Sequence, residues 1–430
     1  VVTLDPHVET ATLDHGLAVT TVHLPHLHTA VCALFVKVGA RYERAADNGL
    51  SHFVEHMLFR GTERYPTSLA LQTAVEQLGS SLHAETGRDR SLFQLSLHPE
   101  AVEVGVELLG ELMGRPRFSD IELERALVLA EIDEDYDEDG VEINVDDVAR
   151  GALFADDPLG QRILGPRANI ERFSEGDVRR HFEAFYGARN MHLCVAGPTS
   201  HTRVVAAARR SLAAWPAGKA ARIKAAPRVA RGPTLRLVSD PGAQTDLTVL
   251  FRAPAETDPA YVALLALLRV LDGGMSTRLH YTLADQRGLA YSVRASVEPF
   301  VDVSLLAVTA STSNAKVPSL VRELLAVLDG LRQGAVTEAE LTTAKARYRY
   351  ETLASLDDAG AMAEWFGGVA LDHPPPSLAE RLAAVAAVTL DEVVAVARAV
   401  FTPAHLTIAG VGSLSKARVT ELRRVVRDWA

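Results

Sequence analysis

Runs of apolar and polar positions divide the chain into short strands and longer amphipathic helices. Leu17 to His23 and Ala30 to Val38 are apolar, β-branched runs, and the Pro25 turn between them predicts that they pair directly. Leu69 to Leu78 has helical spacing and stops at Gly79. Ser81 to Thr86 and Ser91 to His98 read as a hairpin around Gly87-Arg88. Ala101 to Met113 and Asp120 to Asp139 read as helices separated by Pro116. Farther on, strands are predicted at 235–239, 247–251, 289–296 and 303–310, and helices at 259–271, 317–331 and 338–353. Segregated strands and helices of this kind predict α+β halves, not a doubly wound parallel sheet.

The halves resemble each other. His192-Leu193-Cys194-Val195-Ala196-Gly197 and His405-Leu406-Thr407-Ile408-Ala409-Gly410 share His-Leu-x-x-Ala-Gly, each after one helix and before another. Between the halves, residues 214–233 hold three prolines, two glycines and five Lys/Arg with no acid, the composition of an exposed linker. The expected division is 1–213, linker 214–233, and 234–430.

With 48% apolar and 23% charged residues the chain is globular and needs no disulfide staple. Its two cysteines, Cys32 and Cys194, sit in apolar strand-like runs and are expected as buried free thiols. No apolar run reaches the length of a membrane span. A net charge of −11 argues against nucleic acid and suits basic peptides, or solubility alone. The chain starts at Val1, which leaves room for a removed targeting segment. A soluble protein of a bacterial cytoplasm or periplasm is the expectation.

Chemistry concentrates at His52-Phe53-Val54-Glu55-His56. On a helix His52 and His56 share a face, about 5–6 Å apart at Cβ, which suits two imidazoles on one zinc ion. Glu55 falls on the same face and can reach a water instead of the metal. This order, H-x-x-E-H, is that of the inverted zincins. Asn48-Gly49 marks the helix entry and Gly61 its end. A catalytic zinc keeps three protein ligands, so a third donor is required. Glu124 and Glu131, seven apart on the acidic helix 122–132, are the candidates.

With these residues in place the chain resembles the pitrilysin family of metallopeptidases, which includes insulin-degrading enzyme and mitochondrial processing peptidase. Glu131 stands 75 residues after His56, at the family's position for a glutamate ligand, and Glu124 stands at the family's second glutamate. The approach Ala46 to His52 also looks like the family's glycine-containing entry. The resemblance implies two similar domains, each a mostly antiparallel sheet flanked by helices, forming half of a clamshell. It implies one Zn2+ per chain on His52, His56 and Glu131, Glu55 as general base, and Glu124 orienting a ligand or relaying a proton. It implies peptide or unfolded-leader substrates, hydrolysed inside a closed chamber.

Two positions depart from the family pattern. His83 stands where the family has a substrate-holding asparagine, and is carried as a substrate contact or a strand histidine. Tyr291 matches the family's substrate tyrosine, but the arginine seven residues earlier is Ala284, and Arg287 is out of step. The gap implies a heterodimer in which a homologous subunit supplies the arginine–tyrosine pair; the rival is a homodimer that tolerates alanine. A catalytically silent scaffold subunit is the alternative function.

Overall fold

The computed structural model describes residues 5–155, 157–212, 215–223, 225–226 and 232–429. The first sheet has six strands, β1 (His7–Thr12), β2 (Ala18–His23), β3 (Ala30–Val36), β4 (Leu82–Thr86), β5 (Ser91–Leu97) and β6 (Met191–Gly197), in the order β1-β2-β6-β3-β5-β4. All pairs are antiparallel except β2 with β6. The helices of this stretch are α1 (Leu50–Leu58), α2 (Ser68–Glu76), α3 (Val102–Gly114), α4 (Ile121–Glu134), α5 (Val145–Phe154), α6 (Arg167–Ile170), α7 (Glu175–Phe185) and α8 (His201–Leu212).

The second sheet has five strands, β7 (Thr234–Val238), β8 (Gln244–Ala253), β9 (Ser292–Pro299), β10 (Ser304–Ser313) and β11 (Thr407–Gly412), in the order β7-β11-β8-β10-β9. Only β7 with β11 is parallel. Strand for strand this repeats β2-β6-β3-β5-β4, so two similar α+β domains are present. The repeated sequence lies on equivalent strands, although β11 runs two residues past Gly410 to Gly412 while β6 ends at Gly197. Helices α9 (Tyr261–Leu271) and α10 (Val317–Arg332) belong to this half.

Strands β2 and β3 were expected to pair with each other, and they do not: β6 lies between them. Both β3 and β6 are buried along their whole length and take the sheet's centre. Apolar content marks a central strand but carries no information about its neighbour. The helix expected over 120–139 stops at Glu134. Its continuation is a run of acids, which a helix C-terminus disfavours, and Asp137 Oδ1 instead accepts from the Asp139 and Val141 N–H groups in a turn at Gly140.

Cys32 and Cys194 are buried and free. Ala33 pairs with Cys194, so the two thiols point to opposite faces of the sheet and cannot bridge. On the Cys194 face, Val31, Ala33, Phe35 and Cys194 pack against Met362, Ala363 and Phe366. A Cβ at Gly367 would stand 2.4 Å from Cys194 Cβ and 2.8 Å from the Phe35 ring, so only glycine lets this segment lie so close.

The chain divides into two compact units that are not sequential. One comprises 1–132, 161–224 and 352–378; the other comprises 133–160, 225–351 and 379–430. Segments 133–160 and 352–378 thus pack with the sheet of the opposite half, an exchange that a boundary at 214–233 does not capture. Residues 214, 224 and 227–231 of that expected linker lie outside the described residues. Among the described residues no helix is long and apolar enough to cross a membrane.

Candidate metal centre

Helix α1 is built from two interleaved patterns. Leu50, Phe53, Val54, Met57 and Leu58, spaced i, i+3, i+4, i+7 and i+8, are buried in the core. His52, Glu55 and His56 occupy the other side. The helix starts at Gly49, whose φ of 102° is open to glycine, and a Cβ there would meet the Leu164 carbonyl oxygen at 2.7 Å. The first backbone N–H groups have no intrahelical acceptor. The buried Glu43 carboxylate supplies one, accepting from Gly49 N at 2.8 Å, Ser51 N at 2.6 Å and Asn48 Nδ2 at 3.0 Å. Burial pushes Glu43 upward against the hydrogen bonds that favour its charge.

Helix α4 brings the distant carboxylates. Its buried positions are Glu124, Val128 and Ile132, one per turn, and Glu131 lies beside that stripe with its side chain half exposed. His52 Nε2 and His56 Nε2 each lie 3.5 Å from a different oxygen of Glu131. Ligand atoms of the three residues all lie within 4.8 Å of one another, and the imidazole rings stand 4.6 Å apart at 64°. Donors at 2.0–2.2 Å from a tetrahedral zinc are about 3.3–3.6 Å apart, so the two histidine–Glu131 separations match that ion, and the third pair of ligand atoms lies within 4.8 Å. Among the described residues no other group of His, Cys, Asp or Glu converges in this way.

Electrostatics support the arrangement. Burial, with the charge of His56 second, lowers His52 to about 3, which keeps its imidazole in the neutral, ligating form. At His56 burial acts downward, but the Glu124 hydrogen bond and the charges of Glu131, Glu124 and Glu55 outweigh it and the pKa is raised. His56 Nδ1 is 3.0 Å from Glu124 Oε2, and Arg60 pairs with the other oxygen of Glu124. Burial works to raise Glu124, but its bonds to His56 and Arg60 hold it below the usual carboxylate range.

Glu55 is mostly buried beside this group, and burial raises it. Its Oε2 accepts from Thr86 Oγ1 at 2.5 Å, and Thr86 in turn accepts from Ser91 Oγ at 3.3 Å. Neither Thr86 nor Arg60 is part of a motif legible in the sequence. The available hints were position: Thr86 ends the strand that carries His83, and Arg60 follows His56 by four residues. His83 is exposed on β4, an edge strand. Tyr291 belongs to the second unit, where it is 67% exposed and donates its N–H to Ser311 O at 2.9 Å. Ala284 lies in a π-helical turn over 280–286, and Arg287 pairs with Glu323.

Comparison with known proteins agrees with this geometry. Residues 18–167 match a family model described as Insulinase (Peptidase family M16), and 172–348 match one described as Peptidase M16 inactive domain. An uncharacterized zinc protease of Mycobacterium tuberculosis (strain H37Rv) is 31% identical over 395 residues, 90% of this chain and 89% of that protein. A probable mitochondrial-processing peptidase subunit beta of Schizosaccharomyces pombe is 29% identical over 377 residues, 84% of this chain and 81% of that protein. The crystal structure of a protease from Helicobacter pylori shares the fold with a TM-score of 0.86 at 21% identity, covering 95% of this chain and 100% of that one. By its sequence relatives and its two-sheet architecture alike, this chain belongs to peptidase family M16, the insulinase or pitrilysin family.

Proposed function

We propose that the chain is a zinc-dependent endopeptidase for extended, unfolded peptides, with His52, His56 and Glu131 holding one zinc ion and Glu55 acting as general base. The observation that carries this reading is the convergence of those three ligand atoms within 4.8 Å, with Glu55 held beside them by Thr86. Zinc bound there supplies Lewis acidity, which polarises a carbonyl and acidifies water. Glu55 takes the proton of the attacking water and returns it to the leaving amine. Its burial and raised pKa favour that second, protonated state. Glu124 fixes the tautomer and ring orientation of His56 through Nδ1. Strand β4 ends its sheet, so an extended substrate can add along it, past the exposed His83.

Tyr291 is exposed with no arginine seven residues before it, which favours a partner chain that supplies the missing pair. The partner is a homologous subunit, with a second copy of this chain as the alternative. Purified chain, alone and with its candidate partner, is to be assayed for bound zinc and for cleavage of an unfolded peptide. One zinc per chain is expected, with Glu55→Gln lowering kcat by about 10²–10⁴-fold while zinc stays bound. Stoichiometric zinc without hydrolysis of any unfolded peptide, with every partner present, would instead identify a scaffold subunit.

A further inference from the structure

The two sheets agree strand for strand until one edge. In the first, β1 lies antiparallel against β2. In the second, the corresponding side of β7 has no neighbouring strand among the described residues. Thr234 N–H donates to Leu406 O at 2.9 Å, on the β11 side. Alternation along a strand therefore turns the N–H and C=O groups of Leu235 and Leu237 outward.

A groove of about 330 Å³ runs along this edge. It is lined by every residue from Leu235 to Ser239, by Gly412 and Leu414 at and just beyond the end of β11 and, from the C-terminal helix Lys416–Trp429, by Val419 and Arg423. Consecutive strand residues send their side chains to opposite faces, so all of them can line one groove only where it follows the backbone edge. A single charge on an edge strand guards against unwanted pairing. Here Arg236 of β7 is joined by Arg423 from a separate helix. Both are exposed, neither has an acidic partner among the described residues, and no acid lines the groove.

We propose that the free edge of β7 is a docking site for an extended acidic segment of another polypeptide. The segment adds to the sheet antiparallel to β7, as β1 does to β2. Its backbone pairs with Leu235 and Leu237, and its carboxylates meet Arg236 and Arg423. This site lies in the second unit and does not depend on the peptidase reading.

The probe is a fluorescent heptapeptide alternating valine and glutamate, titrated into the full chain carrying Glu55→Gln so that it is not consumed. Saturable binding is expected, with slowed amide exchange at Leu235 and Leu237. The R236E/R423E double variant, checked for unchanged circular dichroism and melting, should bind about tenfold or more weakly. So should the unaltered pair of arginines toward a lysine-for-glutamate peptide or one N-methylated at alternate residues. Equal affinity for the double variant, protection only at β4, or no binding at about 1 mM peptide overturns the proposal. Protection of Leu235 and Leu237 that rises with protein concentration alone assigns the edge to a second copy and overturns it as well.

Discussion

Thr86 decides how one carboxylate points. Its 2.5 Å hydrogen bond fixes one oxygen of Glu55, and Ser91 stands behind it. A hydrogen bond to a charged group contributes about 1.5–3 kcal/mol. Thr86→Ala should therefore lower kcat roughly tenfold or more with KM and zinc content nearly unchanged, and Thr86→Ser should recover most of the loss. An equal fall in zinc content would mean that the alanine damages the site as a whole. Two other buried histidines bear on stability. His181, 3.0 Å from Ser51 Oγ, and His192, 2.8 Å from Thr20 Oγ1, are both lowered by burial from 6.5 to about 4. Between those values the unfolded chain binds more protons than the folded one, so unfolding free energy rises with pH across that window. Their contribution is fully present above pH 6.5 and is lost as the pH falls toward 4, on the order of 3 kcal/mol each. Urea melts of chelator-treated protein from pH 7 to 4.5 should show this decline. The His181→Gln/His192→Gln double variant should show a flatter one; an unchanged slope would place the acid sensitivity elsewhere.

At the scale of elements, α1 depends on its entry. Gly49→Ala forces a side chain into a left-handed backbone, at about 1–2 kcal/mol, and against the Leu164 carbonyl. A loss of at least about 2 kcal/mol in a denaturant melt is expected, with weaker zinc retention against a chelator, because His52 begins only three residues later. A variant as stable as the parent would show that the entry can relax. The helix, its glycine entry and its His-Glu-His face were readable because local spacing alone determines them. Strands β2 to β11 were largely readable too, as apolar runs, but β1 was not: four of the six residues of His7–Thr12 are polar, and it lies at an edge, where one side needs no burial. Pairing was legible only for the β4–β5 hairpin, where a turn sets the register. The insertion of β6 between β2 and β3 is a contact across more than 150 residues, about which neither run carries a signal. Glu131 was found through resemblance to a family, whereas Thr86 and Arg60 act through geometry that no spacing announces.

For the whole molecule the exchange of segments is the governing fact. Phe35, Ala33 and Val31 lose their cover if 352–378 is absent, and α5 loses β8 and β11 if the second half is absent. Residues 1–213 expressed alone should bind a hydrophobic dye, associate and hold zinc poorly, and co-expression with 232–430 should restore a compact, zinc-binding particle. A monomeric, dye-silent fragment would show that the cover is dispensable. Here the limits of sequence reading are again physical: composition marks 214–233 as linker-like, but not which side of it each helix packs on. A protease that nicks that stretch would give two bands on a denaturing gel and a single peak on a sizing column. Each product would still be threaded through its sibling, as two garments buttoned into one another stay joined after the seam between them is cut.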